Sequence, residues 1–355
     1  MSTDCSENLK SELENMSFKD ALHLFDLSIY ETGKLADAIR KENCGELVTF
    51  VIDTNINYTN VCTSKCKFCA FYAKSGKEYV LRKEEILSKI AHALGYGATQ
   101  IMLQGGMNPE LGIEWFEDLF SEIKKKFPEV HLHSLSPPEI VYLSKLENIS
   151  IREILERLND AGLDSLPGGG AEILVDRVRA KISPNKCKSE EWLSVMRTAH
   201  ELGMRTTATM MFGHIETNED IVEHLFRIRD LQSKTGGFTA FIPWTFQPGK
   251  TKLQTVVKKP VSFSRYLQIL AISRIILNNI RNIQASWLTQ GLGVSVLSLF
   301  FGANDFGGVM LEENVLRATG KEIVPARVED IVRAVKAAGR PVAQRDTYYK
   351  ILRRF

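Results

Sequence analysis

The stretch "LVTFVIDTNINYTNVCTSKCKFCAFY", residues 47–72, runs from an apolar, strand-like segment straight into a loop holding three of the chain's six cysteines. Its first half is rich in Val, Ile, Thr and Phe, the residue types that suit a pleated strand. Outward from it the same kind of segment recurs at 99–106, 131–136, 163–170, 206–214, 238–246 and 282–287, with a weaker one at 304–308. Between these lie segments with apolar residues at spacings of three and four, at 82–97, 112–128, 150–162, 189–203, 218–236 and 263–280. That spacing marks amphipathic helices, and several end on a glycine just past the last turn. Strand and helix in repeated alternation predict a parallel sheet covered by helices. With about eight such units the expected fold is α/β, a (β/α)8-type barrel over 49–320, and an open doubly wound sheet is the alternative. A helical N-terminal extension over 1–48 and a helical C-terminal tail over 321–355 complete the expected division.

Composition narrows the function classes. The 355 residues include 45 Lys+Arg and 43 Asp+Glu, a net charge of +2, so no chain-wide field attracts nucleic acid or an anionic membrane. The start, "MSTDCSENLKSELENMS", is acidic and polar and lacks the basic-then-apolar pattern of a secretory signal. No apolar run approaches the roughly 18 residues of a spanning helix. A cytoplasmic protein with a small-molecule substrate, binding neither nucleic acid nor membrane, is expected. Cys5, Cys44 and Cys187 are scattered, as in a reducing compartment.

In a barrel the working residues follow the C-terminal ends of the strands. The residues at those positions are Cys62, Cys66 and Cys69 after the first strand, and Gln104, Gly105, Gly106 and Asn108 after the second. Ser136 follows the third, Glu172 the fourth, Gly213, His214 and Glu216 the fifth, and Trp244 and Gln247 the sixth. A structural zinc site closes its tetrahedron with four ligands, and no second Cys or His pair follows here. A four-iron cluster held by three thiolates keeps one iron open to a reactant.

The spacing C-x3-C-x2-C, with Phe68 just before the third cysteine and a barrel pattern following, resembles the radical S-adenosylmethionine superfamily. The resemblance implies that Cys62, Cys66 and Cys69 hold a [4Fe-4S] cluster whose open iron binds S-adenosyl-L-methionine. It further implies that Phe68, Tyr72, Gly105, Gly106, Glu172 and Gly213 contact that cofactor, Glu172 through its ribose hydroxyls. Met107 stands where many members carry an acid. "NYTNVCTSKCKFCAFY", "LQGGMNPEL", "HLHSLSPPEI", "PGGGAEIL", "GHIET", "FIPWTFQPG" and "FGANDFGG" are similar to the cyclic dehypoxanthine futalosine synthases of the futalosine route to menaquinone. In that branch Gln104, Asn108, Trp244 and Gln247 favour the cyclase over its sister, aminofutalosine synthase. A deazaflavin F0 synthase subunit is the second alternative, and a cluster-binding scaffold without catalysis the third.

The same resemblance implies hydrogen abstraction from C4' of a ribose, closure onto a benzoate ring, and an electron donor such as flavodoxin or ferredoxin. Gln104, Asn108, Ser136, Gln247 and Gln290 are the expected substrate contacts. His214, Glu216 and Asp305 are the candidates for accepting the proton, and Arg177, Arg205 and Arg345 for binding the substrate's carboxylate.

Overall fold

A computed structural model describes residue 13, residues 15–323 and residues 326–355; Cys5 lies outside them. Its first nine strands are β1 (Val48–Val51), β2 (Asp53–Ile56), β3 (Gln100–Leu103), β4 (His131–Leu132), β5 (Ser165–Leu166), β6 (Arg205–Phe212), β7 (Phe238–Thr245), β8 (Asn282–Ile283) and β9 (Asp305–Gly308). Strands β1 and β2 are successive halves of one strand, interrupted at Ile52. Parallel pairing runs β2-β3-β4 and β5-β6-β7-β8, and β9 pairs parallel with β1. Two further parallel bridges, His133 to Ser165 and Gln284 to Asp305, join these sheets, so the ring closes. The closed α/β barrel is the expected architecture.

Closure follows from local preferences. Helix Ile113–Lys126 buries Ile113, Phe116, Leu119, Phe120 and Ile123 on one stripe and ends on Lys124, Lys125 and Lys126, whose charges suit its carbonyl end. Helix Asn218–Thr235 starts from a Thr217 capping box and stops at Gly236 in the left-handed region. Three helices were not legible from apolar periodicity: Pro137–Glu147, Asp176–Ile182 and Trp287–Ser298. The first carries prolines in its opening turn, a helix start that reads equally as a loop. The N-terminal helix Ile29–Cys44 packs along Phe263–Ile276. Among the described residues no helix is long and apolar enough to cross a membrane.

The ring is unusual in what it turns inward. Side chains on a strand alternate between faces. Ile101 and Leu103 on β3, with Thr206, Ala208 and Met210 on β6, are buried away from the lumen. Gln100 and Met102, and Thr207, Thr209 and Met211, face it. A solid barrel fills this space with branched apolar residues. Gln100, Thr207 and Thr209, set among apolar neighbours such as Met102, Met211 and Ala240, leave a cavity of about 340 Å³ instead.

The C-terminal segment differs from the expected helical tail. It holds one helix, Val328–Ala337, and then an antiparallel hairpin of β10 (Val342–Arg345) and β11 (Ile351–Arg354). Strand β10 pairs parallel with β1, so the hairpin joins the sheet beside the barrel's first strand. Four-residue strands carry too little periodicity to be told from a helix end; pairing with β1 decides their state. The hairpin is pinned by Arg345, which donates to Asp305 Oδ2 at 2.6 Å and Oδ1 at 2.9 Å. Asp305 also accepts from the Thr49 hydroxyl and, at 2.7 Å, from the Gly307 N–H. Its four lone-pair sites are thereby all engaged.

Removing one partner of such a buried pair strands the other charge. Arg345→Ala should lower unfolding stability by about 3–5 kcal/mol. Denaturant titration checks this, and a loss below about 1 kcal/mol would show that the hairpin is held by other contacts.

Candidate active site in the barrel lumen

The three cysteines of the 62–69 loop are free thiols, Cys66 buried and Cys62 and Cys69 partly exposed. Backbone bonds fix the loop: Thr63 N–H donates to the Met107 carbonyl at 3.0 Å, Lys67 N–H to Ile182 at 2.8 Å, and Cys69 N–H to Cys66 at 3.2 Å. Lys65 sits at φ +46°, which brings Cys66 back toward the barrel. Burial pushes the Cys66 thiol up to about 11, against the pull of the nearby Lys186 ammonium. Thiolates there call for a bound cation. Among the described residues no three His, Cys, Asp or Glu side chains gather as the cage of a single ion. Three thiolates on one loop do not by themselves close a zinc tetrahedron, whereas a four-iron cluster held by three keeps one iron open, so this donor set suits a cluster and not a lone zinc.

Gly106 is the seat of the loop. A Cβ at that position would lie 2.0 Å from the Val61 carbonyl oxygen and 2.8 Å from Cys62 Cβ. Gly105 is pressed against the Tyr58 ring in the same way, and its N–H donates to Glu139 Oε1 at 3.1 Å. Tyr58 donates to that same oxygen at 2.7 Å. Glu139 was not anticipated, because its buried carboxylate acts on the glycines from the helix after the third strand.

The lumen opens beside Phe68 and Cys69 and reaches Glu172 across the barrel. Glu172 holds φ +41°, a strained value for a side chain of its size. Its Oε1 accepts from Lys186 Nζ at 3.0 Å, whereas Oε2 is buried without a hydrogen-bond partner, 3.6 Å from Arg179 Nη1. Lys186 Nζ also lies 5.3 Å from the Phe68 ring centre. Although burial opposes its charge, Glu172 keeps the Lys186 ammonium above the usual lysine range. Lys186 and Arg179 were missed in the sequence. They reach the site from the short helix and turn after β5, where "VRAKISPNKC" shows only ordinary basic residues.

The remaining predicted residues separate into two groups. Phe68, Gln104, Glu172, Trp244 and Gln247 lie on the cavity wall. Asn108 instead accepts from Glu110 N–H at 3.0 Å inside its own turn, and Ser136 bonds Glu139 at a helix start. Gln290 donates to Thr245 Oγ1 at 2.7 Å behind the wall. Tyr72 lies under the Lys252 ammonium, 5.7 Å from its ring centre. Gly213, at φ +89°, begins a knot that ties His214 to Glu216. His214 Nε2 is 3.0 Å from the Met211 carbonyl, and its Nδ1 accepts from Ile215 N–H at 2.8 Å. Neither His214 nor Glu216 reaches the lumen, and Asp305 is saturated. Of the three arginines, Arg177 pairs with Asp220, Arg205 bonds the Gly236 carbonyl at 2.6 Å, and only Arg345 lines the cavity.

Two carboxyls on the wall that sequence reading overlooked are Glu313 and, on β2, Asp53. Burial pushes Asp53 up to about 6, against a bond from Met310 N–H at 2.9 Å. Gly308 makes room for it, since a Cβ there would sit 2.1 Å from Asp53 Oδ1.

Because the Gly106 obstacle is backbone, Gly106→Ala should displace the cysteine loop. Iron and sulfide retained after anaerobic reconstitution should fall severalfold while the circular dichroism of the barrel is kept; full loading would show that the loop tolerates the shift.

Comparison with known proteins agrees with this architecture. Residues 56–228 match the family model of the radical SAM superfamily, and residues 235–354 match that of the CofH/MqnC C-terminal region. The chain is 43% identical over 341 residues to cyclic dehypoxanthine futalosine synthase from Streptomyces coelicolor, covering 94% of this chain and 85% of that protein. It is 41% identical over 343 residues to 5-amino-6-(D-ribitylamino)uracil–L-tyrosine 4-hydroxyphenyl transferase 1 from Methanosarcina acetivorans, covering 94% and 90%. Among solved structures, methylornithine synthase (PylB) superposes with a TM-score of 0.73 at 19% identity, over 94% of this chain and 96% of that one. The [FeFe]-hydrogenase maturase HydG gives 0.74 at 14% identity, over 97% and 77%. A three-cysteine loop at the mouth of a closed barrel, together with these full-length likenesses, places the chain in the radical S-adenosylmethionine superfamily, in the CofH/MqnC family, as an enzyme that uses a [4Fe-4S] cluster and S-adenosyl-L-methionine.

Proposed function

We propose that this enzyme cyclises dehypoxanthine futalosine, a step of the futalosine route to menaquinone. One observation supports this most: a single cavity joins the cysteine loop to the barrel lumen, and Gln104, Trp244 and Gln247, three of the four residues whose resemblance favours the cyclase, lie on its wall. The reaction would remove a hydrogen atom from C4' of the ribose, join that carbon to the benzoate ring, and release a proton and an electron. The product is two hydrogens lighter than the substrate.

In this reading Cys62, Cys66 and Cys69 ligate the cluster, which with S-adenosylmethionine supplies a 5'-deoxyadenosyl radical. The chain's own residues bind and exclude. Glu172 Oε2, which has no hydrogen-bond partner and lies 3.6 Å from Arg179 Nη1, accepts from a ribose hydroxyl of the cofactor, and Lys186 holds that carboxylate in place from its other oxygen. Phe68 covers the cofactor side of the cavity. The ring of strands keeps water from the carbon radical, and the lumen sets the ribose beside the ring it must join. A ferredoxin or flavodoxin delivers the electron.

The transferase likeness at 41% identity gives a second reading, in which a tyrosine-derived group is joined to a ribitylated pyrimidine. Anaerobic incubation of the reduced, reconstituted protein with S-adenosylmethionine separates the two. With dehypoxanthine futalosine, 5'-deoxyadenosine and a product two hydrogens lighter are expected; an unchanged substrate beside consumption of tyrosine and the ribitylated pyrimidine would replace the cyclase by the transferase. Glu172→Gln should weaken S-adenosylmethionine binding about tenfold and leave the cluster's visible spectrum unchanged. Unaltered cofactor affinity would remove Glu172 from the site. Cys66→Ala should lose the cluster while the barrel stays folded, since apolar burial elsewhere holds it.

A further inference from the structure

The proposed reaction ends on the loss of a proton, and His214, Glu216 and Asp305 are all engaged away from the lumen or saturated. Four carboxyl or imidazole groups do stand on the cavity wall: Asp53, His133, Glu172 and Glu313. Glu313 spends both oxygens on the N–H groups of Leu316 and Arg317. Glu172 is paired with Lys186 and belongs to the cofactor in the proposed reading. Asp53 and His133 remain.

Strand register decides between them. Strand β2 pairs Asp53 with Gln100 and Asn55 with Met102, and β3 pairs Gln100 with His131 and Ile101 with Leu132. The His133 N–H donates to the Ile101 carbonyl at 3.0 Å and carries this register one residue on, which sets His133 level with Met102 and Asn55. Asn55 in turn donates to Gln104 Oε1 at 3.3 Å, beside the glycines that seat the cysteine loop. Asp53 stands one inward-facing row deeper, about 7 Å farther from that loop. With ribose C4' toward the cysteines, the ring bonded to it falls at the level of His133.

His133 also has an outlet. Its Nδ1 lies 2.6 Å from Ser165 Oγ, and the same hydroxyl lies 2.7 Å from His131 Nε2. His131 is partly exposed at the start of β4, with its ring perpendicular to that of exposed Tyr348 and the ring centres 4.8 Å apart. One placement of protons makes both bonds: His133 Nδ1–H donates to the hydroxyl, and the hydroxyl donates to His131 Nε2. His133 Nε2 then carries a lone pair, and no described residue bonds it. Burial holds His133 down to about 3 and His131 to about 4, so both rings are neutral at physiological pH. His131 and Arg345 further oppose a cation on His133, whereas Asp164 and Asp346 favour one on His131 against Lys124. The charges thus drive a proton outward and keep it from resting on His133.

We infer that His133 receives the proton lost on ring closure and passes it through Ser165 and His131 to solvent at the barrel rim opposite the cysteine loop. The inference rests on the proposed function, whose last step it completes. In that step the C–H bond of the attacked ring carbon breaks, its proton goes to His133 Nε2, and its electron pair restores the ring. The surplus single electron leaves to the oxidised ferredoxin or flavodoxin. Along the relay the His133 Nδ1 proton moves to Ser165 Oγ, the hydroxyl proton moves to His131 Nε2, and the His131 Nδ1 proton is released to water. The proton departs without water having to enter beside the carbon radical.

The test compares anaerobic turnover of dehypoxanthine futalosine by reconstituted wild type, His133→Asn, Ser165→Ala and Asp53→Asn, counting 5'-deoxyadenosine and cyclised product for each. Wild type should form the two in nearly equal amounts. Interrupting the relay leaves hydrogen abstraction intact and strands the ring-closed radical, which the reductant then converts, with one electron and one proton, to a compound of the substrate's mass. The ratio of 5'-deoxyadenosine to cyclised product should rise about tenfold or more in His133→Asn, and added imidazole should lower it again. Ser165→Ala, which keeps both histidines, should raise it as well. A lower melting temperature in these two variants, with the wild-type ratio kept, marks a structural role and overturns the relay. A raised ratio confined to Asp53→Asn makes Asp53 the acceptor and overturns it too, leaving the cyclase reading in place. Wild-type protein that leaves the futalosine unchanged overturns the cyclase reading and the relay with it.

Discussion

A closed ring of strands that sets polar side chains among the apolar ones facing its lumen keeps a cavity in place of a packed core, and the rest of this structure depends on that constraint. Gln100, Gln104, Thr207 and Thr209 occupy places where a solid barrel keeps apolar packing, so the ring gives up core contacts for a cavity. The mouth is seated by the cysteine loop, whose Val61 carbonyl rests against Gly106 with no space for a side chain. At the other end stands the hairpin, fastened by Arg345 to an Asp305 that four donors saturate. Charges at the wall are spent on holding these elements in place, and the space left over belongs to the reactants.

Electrostatics in the lumen follow the same economy. Lys186 is matched by Glu172 and Arg345 by Asp305, both pairs out of water. Buried pairs of this kind add little net stability, but they fix geometry. A radical reaction asks for that more than for strong acids or bases, because the bound cofactor provides the reactivity and the protein provides orientation. Glu172 shows the arrangement most clearly: a strained backbone, one oxygen held by Lys186, and the other without a hydrogen bond, 3.6 Å from the Arg179 guanidinium.

How much of this was legible in the sequence depended on the range of each interaction. The alternation of strand and helix and the three-cysteine loop are local patterns, and both could be read directly. Phe68, Gln104, Glu172 and Gln247 stand in the loops that follow strand ends, so the barrel rule placed them at the cavity. The same rule misplaced residues whose polar atoms are consumed by their own turns: Asn108 and Ser136 bond within three residues, and His214 with Glu216 closes a knot. Lys186 and Arg179 were invisible because a short helix after β5 carries them back over the mouth. The hairpin was read as helix because its short strands acquire their state from pairing with β1. One signal was present and unused. "DTNIN" and "QIMLQ" put polar residues at the lumen-facing positions of buried strands, the mark of a hollow barrel.

The central claim, that the lumen presents a ribose C4' hydrogen to the adenosyl radical, is tested most directly with dehypoxanthine futalosine deuterated at C4'. After anaerobic turnover, mass spectrometry of the 5'-deoxyadenosine should find the deuterium transferred into it, in proportion to cyclised product. Deuterium left in the substrate, with 5'-deoxyadenosine unlabelled and formed at the same rate without substrate, would contradict the account.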